Sequence, residues 1–260
     1  MTYLLLDADM ACMTACTKHQ KDVQWSTDIW TWSCDIAAAR DEYKGMLNDL
    51  REQFNVDYDE IHECWTTGSF FRKEIYPEYK GNRKATRKPP GYLALKKELL
   101  QSDMASVHDM IEADDMIGIM ATEMLCDNAD YVIVSNDKDL NQIQGRHYWF
   151  TNDEEHFVGL REAEQNFWTQ VIAGDSTDNV PGCPTLGKVR AERAVAEFDL
   201  SRPMECWKKV VQLYREKGKV EQPHAAALTT ARLTRILRTG EYDFATKEVK
   251  LWNPPIHLSA

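Results

Sequence analysis

The chain is expected to be an α/β protein with a mainly parallel sheet, flanked by helices and followed by a smaller helical part. Three observations carry this expectation: short apolar runs at "YLLLD" (3–7) and "YVIVS" (131–135), helical spacing between such runs, and a helical pattern from about 162 onward. Strands that alternate with helices need crossover connections, which makes them parallel neighbours.

Taken in order, "YLLLD" reads as a buried strand that ends in Asp7. Residues 35–54 place Ile36, Ala39, Tyr43, Met46, Leu47, Leu50 and Phe54 at helical spacing behind a capping Asp35. "EIHECW" (60–65) is a second strand. Residues 66–91 are rich in Gly, Lys, Arg and Pro, and read as an excursion from the core. "DMIEADDMIGIMATEMLC" (109–126) is an amphipathic helix, and "YVIVS" and "HYWF" are further strands. The helical part after 162 is interrupted by "NVPGCPTLG". One boundary is expected near residue 161, giving parts 1–161 and 162–260.

Composition narrows the function classes. The chain has 260 residues, 43% of them hydrophobic, as in an ordinary globular protein. Its apolar runs fall well short of the roughly 20 residues needed to cross a bilayer. "MTYLLLDADM" lacks a basic leading segment and reads as a strand, not a signal peptide. Seven scattered cysteines without metal-finger spacing suggest reduced thiols in a cytoplasm. The net charge is −11. Yet residues 72–97 hold nine Lys or Arg against two acidic residues, and 188–219 hold nine against five. Two basic stretches on an acidic body suggest a polyanion held locally.

The carboxylates carry the chemistry. Ligands of parallel α/β sheets gather beyond the C-terminal ends of the strands. Asp7 ends one strand there, and Asp137 and Asp139 follow another. Glu112, Asp114 and Asp115 open a helix whose dipole favours negative charge. Asp175 and Asp178 sit before a turn in "AGDSTDNVPG". Convergence of all eight means that either several protonate or divalent metals neutralise them, because each like-charge pair 4 Å apart repels by roughly 4 kcal/mol at an effective dielectric of about 20. Oxygen-only ligands point to Mg²⁺ or Mn²⁺.

Read in order, "PEYKGNR" (77–83), "EADD" (112–115), "SNDKDL" (135–140) and "GDSTDNVPG" (174–182) resemble the motifs of the 5′ nuclease family. That family comprises flap endonucleases, the 5′ nuclease domains of bacterial DNA polymerases and phage 5′→3′ exonucleases. The closing "LTRILRTGEYDFATKEVKLWNPP" is similar to the tails of T7-type phage exonucleases. The resemblance implies a PIN-like body, a helical arch over about 66–105, and a helix–turn–helix element (H3TH) over about 171–197. It implies two divalent ions, Mg²⁺ or Mn²⁺, held by Asp7, Glu112, Asp114, Asp115, Asp137, Asp139, Asp175 and Asp178. Lys80 and Arg83 would carry the developing charge of the scissile phosphate.

By the same resemblance, Arg72, Lys73, Tyr79, Lys84, Arg87 and Lys88 of the arch contact DNA. So do Gly182, Gly187, Lys188, Arg190 and Arg193 of the helix–turn–helix element, where the family often holds a K⁺. The implied substrates are DNA 5′ ends, flaps and single-strand/duplex junctions, with RNA/DNA hybrids and replication proteins as further partners. The family has an Asp at the position of Trp65, and Asp9 could compensate if the first strand continued through it. The competing reading is a DNA-structure-binding protein with lost catalysis; a PIN-like ribonuclease would lack both the arch and the helix–turn–helix element.

Overall fold

The computed structural model describes residues 1–85 and 87–255, with the side chains of Lys84 and Ala85 outside the described set. The elements are β1 (Thr2–Asp7), α1 (Ala8–Lys18), β2 (Gln20–Ser26), β3 (Ile29–Cys34), α2 (Ile36–Phe54), β4 (Ile61–Trp65), α3 (Arg72–Ile75), α4 (Tyr92–Leu99), β5 (Ala105–Val107), α5 (Ala113–Cys126), β6 (Asp130–Val134), β7 (Gly145–Trp149) and β8 (Glu154–Val158). Then follow α6 (Leu160–Ala173), β9 (Gly174–Asp175), β10 (Val180–Pro181), α7 (Lys188–Ala196), α8 (Pro203–Glu216), α9 (Pro223–Thr234), β11 (Tyr242–Asp243) and β12 (Glu248–Val249).

Contacts group these elements into two compact units. The first takes residues 1–68, 87–136 and 145–156; the second takes 69–86, 137–144 and 157–260. The basic excursion is divided between them, as is the segment after β6.

The first unit is built on a sheet of strand order β5-β4-β1-β6-β7-β8, in which β5, β4, β1, β6 and β7 pair in parallel. Leu4, Leu5 and Leu6 of β1 are fully buried, as are Val132, Ile133 and Val134 of β6. Strands covered on both faces read as continuous apolar runs instead of alternating ones. The register Asp7↔Cys64 and Leu6↔Val134 brings the ends of β1, β4 and β6 to one edge.

Asp35 caps α2 by accepting from Ala38 N at 3.1 Å, and Ala39, Tyr43, Leu47 and Leu50 form the buried face of that helix. The helix expected over 109–126 begins later, at Ala113, because Glu112 is its extended N-cap. Apolar periodicity assigns no element to residues 8–34, where the structure has α1 and an antiparallel β2–β3 ribbon. The buried face of α1 consists of Ala8, Ala11, Cys12, Ala15 and Cys16. Such small residues give hardly any hydrophobic periodicity, so the pattern is silent there.

The second unit packs α6, α7, α8 and α9 around Phe167, Trp168, Val171, Trp207, Val210 and Tyr214. The Tyr214 hydroxyl donates to Val171 O at 2.7 Å across this core. Among the described residues, no helix is long and apolar enough to cross a membrane.

Candidate active site

The start of α5 gathers three acidic residues because two of them also cap the helix. Glu112 N donates to Asp115 Oδ2 at 3.2 Å, and Asp115 N donates to Asp114 Oδ1 at 2.8 Å. Carboxylates accepting from the first N–H groups of a helix are stabilised by its dipole. One carboxylate oxygen each from Glu112, Asp114 and Asp115 lies within 4.8 Å of the others. Glu112 and Asp115 are buried, while Asp114 is half-buried. In the same unit Asp7 terminates β1, capping α1 through Met10 N at 3.1 Å and accepting from Ser135 Oγ at 2.9 Å.

The second unit holds the other four carboxylates. Asp137 accepts from Asp139 N at 2.9 Å and begins a 3₁₀ turn. Asp139 accepts from Gln170 Nε2 on α6 at 2.5 Å. Burial raises its pKa to about 7, reinforced by the negative charges of Asp137, Asp175 and Asp178. A carboxyl in that state is short of positive charge. Asp175 accepts from Thr177 N at 2.7 Å.

Asp178 is half-buried, and burial raises its pKa despite the cations beside it. It accepts from the Tyr79 hydroxyl at 3.0 Å and pairs with Lys80 Nζ at 3.5 Å and with the Arg83 guanidinium. Lys80 has φ 56°, a left-handed conformation uncommon outside glycine. Its backbone N–H donates to Asp178 O at 2.8 Å, and Asn82 Nδ2 donates to Ser176 O at 2.8 Å, so the two loops are laced together. Lys80 O then accepts from Arg83 N, which puts both cations on one short turn. An oxygen-only donor set crowded with like charge, as at the start of α5, fits a hard divalent cation.

Several expected positions fall elsewhere. Arg72 does not face a ligand. It is 2% exposed, and its guanidinium donates to Leu233 O at 2.8 Å and Arg235 O at 2.7 Å, satisfying carbonyls at the end of α9. Tyr79 is likewise buried, with its hydroxyl spent on Asp178. Arg72→Ala should therefore cost stability, about 3 kcal/mol for a buried charged donor, or roughly a 10 °C fall in melting temperature at this chain length. An unchanged melting temperature would show that Arg72 is not the anchor of α9.

Gly182 also has a different use. A Cβ there would lie 2.2 Å from the Ala173 carbonyl, so the missing side chain lets two backbone segments of the protein itself meet. Gly187 has open space around it and precedes α7, where Lys188, Arg190 and Arg193 are exposed. Lys73, Arg87 and Lys88 are exposed too, whereas the side chain of Lys84 is outside the described residues.

Trp65 lies in the core, 1% exposed, its ring 6.3 Å from that of Tyr43. Asp9 does not compensate on the strand face, because β1 stops at Asp7 and Asp9 belongs to α1. It pairs instead with Lys96 Nζ at 2.5 Å, accepts from the Tyr92 hydroxyl at 2.6 Å, and accepts from Thr66 N at 2.7 Å. Lys96 Nζ sits 5.2 Å from the Trp65 ring centre and donates to Thr66 O at 2.8 Å. Thr66 Oγ1 in turn accepts from Ala113 N at 3.0 Å, at the first turn of α5.

Lys96, Asp9 and Thr66 therefore position the helix that bears three of the carboxylates. Sequence reasoning missed this role, since the partners lie 30 to 87 residues apart. Removing this support with Thr66→Val should lower divalent-ion affinity about tenfold, as loss of outer-shell partners does. Calorimetric titration with Mg²⁺ checks this, and unaltered affinity would reduce Thr66 to a plain helix cap.

Residues 35–168, just over half of the chain, match the 5′-3′ exonuclease N-terminal resolvase-like domain. Over 96% of its length the chain is 27% identical to the exodeoxyribonuclease of Enterobacteria phage T3 and 28% to the exonuclease of Escherichia phage T7, covering 92% and 93% of those proteins. A flap endonuclease Xni of Shewanella oneidensis is 30% identical over 49% of this chain and 53% of its own. Among solved structures, the bacteriophage T5 D15 flap endonuclease in complex with DNA and metal ions superposes over 90% of both chains, with a TM-score of 0.64 at 18% identity. A parallel α/β sheet with an acidic triad at the start of α5, and a match over that same stretch, place this chain in the 5′–3′ exonuclease family of nucleases.

Proposed function

We propose that this chain hydrolyses phosphodiester bonds near the 5′ ends of DNA, as exonuclease and flap endonuclease, with two Mg²⁺ or Mn²⁺ ions. The observation that carries the reading is the triad Glu112, Asp114 and Asp115, with ligand oxygens within 4.8 Å of one another. With Asp7 they would hold one ion; Asp137, Asp139, Asp175 and Asp178 would hold the other. Such ions lower the pKa of an attacking water and stabilise the leaving oxygen.

The protein's own groups do the rest. Gln170 orients Asp139 through a 2.5 Å hydrogen bond, and Ser135 orients Asp7. Lys80 and Arg83 share Asp178, so turning them to a phosphate requires that carboxylate's charge to be satisfied elsewhere. Donors fixed beside a developing charge stabilise it without reorganising. The exposed Lys188, Arg190 and Arg193 of α7 serve as sequence-independent contacts to duplex phosphates. A K⁺ at the helix–turn–helix element, RNA/DNA hybrids as substrates and replication proteins as partners belong to the same reading, and the seven free thiols suit a cytoplasm.

The test is cleavage of a labelled 5′ flap and of a recessed duplex, with Mg²⁺ and with EDTA. Mg²⁺-dependent products are expected, and their lengths separate stepwise exonuclease from flap cutting. Tight binding of both substrates without cleavage in Mg²⁺ or Mn²⁺ would sink the proposal and leave a DNA-binding protein in which Trp65 marks the lost carboxylate.

A further inference from the structure

The β2–β3 ribbon exposes an unusual amount of aromatic surface. Trp25, Trp30 and Trp32 are 69%, 43% and 44% exposed, and Val23 and Ile29 are exposed as well. A two-stranded ribbon is marginal alone in water, and its pairing puts Trp30 and Trp32 on one face and Val23 and Thr31 on the other. The ribbon is nevertheless held in place. Asp35 N donates to His19 O at 3.2 Å to close its base, and Cys34 packs where a Cβ on Gly91 would stand, at 3.1 Å. Trp25 Nε1 donates to Thr31 Oγ1 at 2.9 Å across the strands.

We propose that the Trp30–Trp32 face of this ribbon, together with Arg87, binds the unpaired bases of a single-stranded nucleic acid by stacking. The two rings are nearly parallel, at 19°, with centroids 6.5 Å apart. That spacing is close to two steps of a stacked strand, at about 3.4 Å per nucleotide. The Arg87 guanidinium stands 4.0 Å from the Trp32 ring centre, and Lys88 Nζ lies 4.5 Å from the ring of Tyr92. Aromatic faces beside cations form the surface on which bases stack and phosphates are neutralised.

The neighbours of the rings argue against a protein partner. Trp32 pairs with Asp22 and Trp30 with Gln24, so on this face each ring sits beside a polar side chain. Cores of protein interfaces are depleted of charge. Stacking asks only for the ring faces and tolerates polar edges. The choice of nucleic acid as ligand rests on the nuclease reading; the geometry of the face does not.

The experiment measures binding of fluorescent single-stranded (dT)12 and of a blunt duplex in EDTA, where cleavage plays no part. The proteins are the wild type, the double variant Trp30→Ala/Trp32→Ala, the conservative Trp30→Phe/Trp32→Phe, and Arg87→Ala. The double alanine variant should lose (dT)12 affinity by at least about tenfold. The phenylalanine pair should stay within about threefold of wild type, and duplex binding and melting temperature should not move. Equal (dT)12 affinity in the alanine variant, or no measurable (dT)12 binding by the wild type, would overturn the proposal. A wild type that self-associates in sedimentation while the alanine variant stays monomeric would overturn it too, making the face a contact between copies. Duplex cleavage in Mg²⁺, run separately, reports on the nuclease reading: its absence would sink that reading while leaving the stacking comparison intact.

Discussion

Replacing Asp114 by Asn is expected to lower Mg²⁺-dependent cleavage at least about 100-fold, the scale of removing one preorganised electrostatic group from a reaction centre. The substitution is clean for a structural reason. Asp114 is the half-buried member of its triad, and its contact to the helix is acceptance from Asp115 N at 2.8 Å, which an amide oxygen also provides. Removing one of three like charges within 4.8 Å should not lower the metal-free melting temperature, and should raise it. The wild type should be stabilised by Mg²⁺ by about 2.7 kcal/mol when the ion is at 100 times its dissociation constant. The variant should lose most of that gain. Scanning calorimetry with Mg²⁺ and with EDTA reads all three quantities. A variant that cuts at the wild-type rate would remove the α5 triad from the chemistry.

Lys80→Ala should slow the single-turnover rate by about 10²–10³-fold while changing DNA affinity little, because the role proposed for it is to meet charge that develops during reaction. Arg83→Ala should cost less. The side chain of Lys80 is 19% exposed against 46% for Arg83, and water screens the more open charge. Rapid-quench measurement on the flap substrate, with binding followed separately by anisotropy, distinguishes a lost rate from a lost grip. If Lys80→Ala weakened binding and rate by the same factor, Lys80 would be a plain phosphate anchor. Removing either cation also leaves Asp178 with one partner fewer, so affinity for the proposed second ion should rise in both variants.

The strands and helices that carry the acidic residues were legible because each obeys one local rule. Leu4–Leu6 and Val132–Val134 are apolar runs, as strands covered on both faces must be. The α2 helix shows 3.6-residue spacing and an Asp cap. The "EADD" motif is legible as a helix start for the same reason that it is chemically useful: the N–H groups that stabilise its carboxylates also hold them together.

What was not legible depended on partners far along the chain. Arg72 reads as one more cation of a basic stretch, and only the carbonyls of Leu233 and Arg235, more than 160 residues on, make it a buried anchor. Gly182 reads as an opening toward phosphate, yet the Ala173 backbone fills that space. Asp9 continues the run after Asp7 on paper, but the chain turns into α1 and gives it to Lys96. The β2–β3 ribbon escaped because both of its faces are exposed, so burial imposes no alternation on its sequence. By itself, then, the sequence determined the α/β class, the succession β1, α2, β4, α5 and β6, and the acidic residues beside their ends, because secondary structure and capping are near-neighbour effects. The tertiary structure alone decided which charges are anchors and which stand free to act, because burial and ion pairing are set by residues that meet only when the chain has folded.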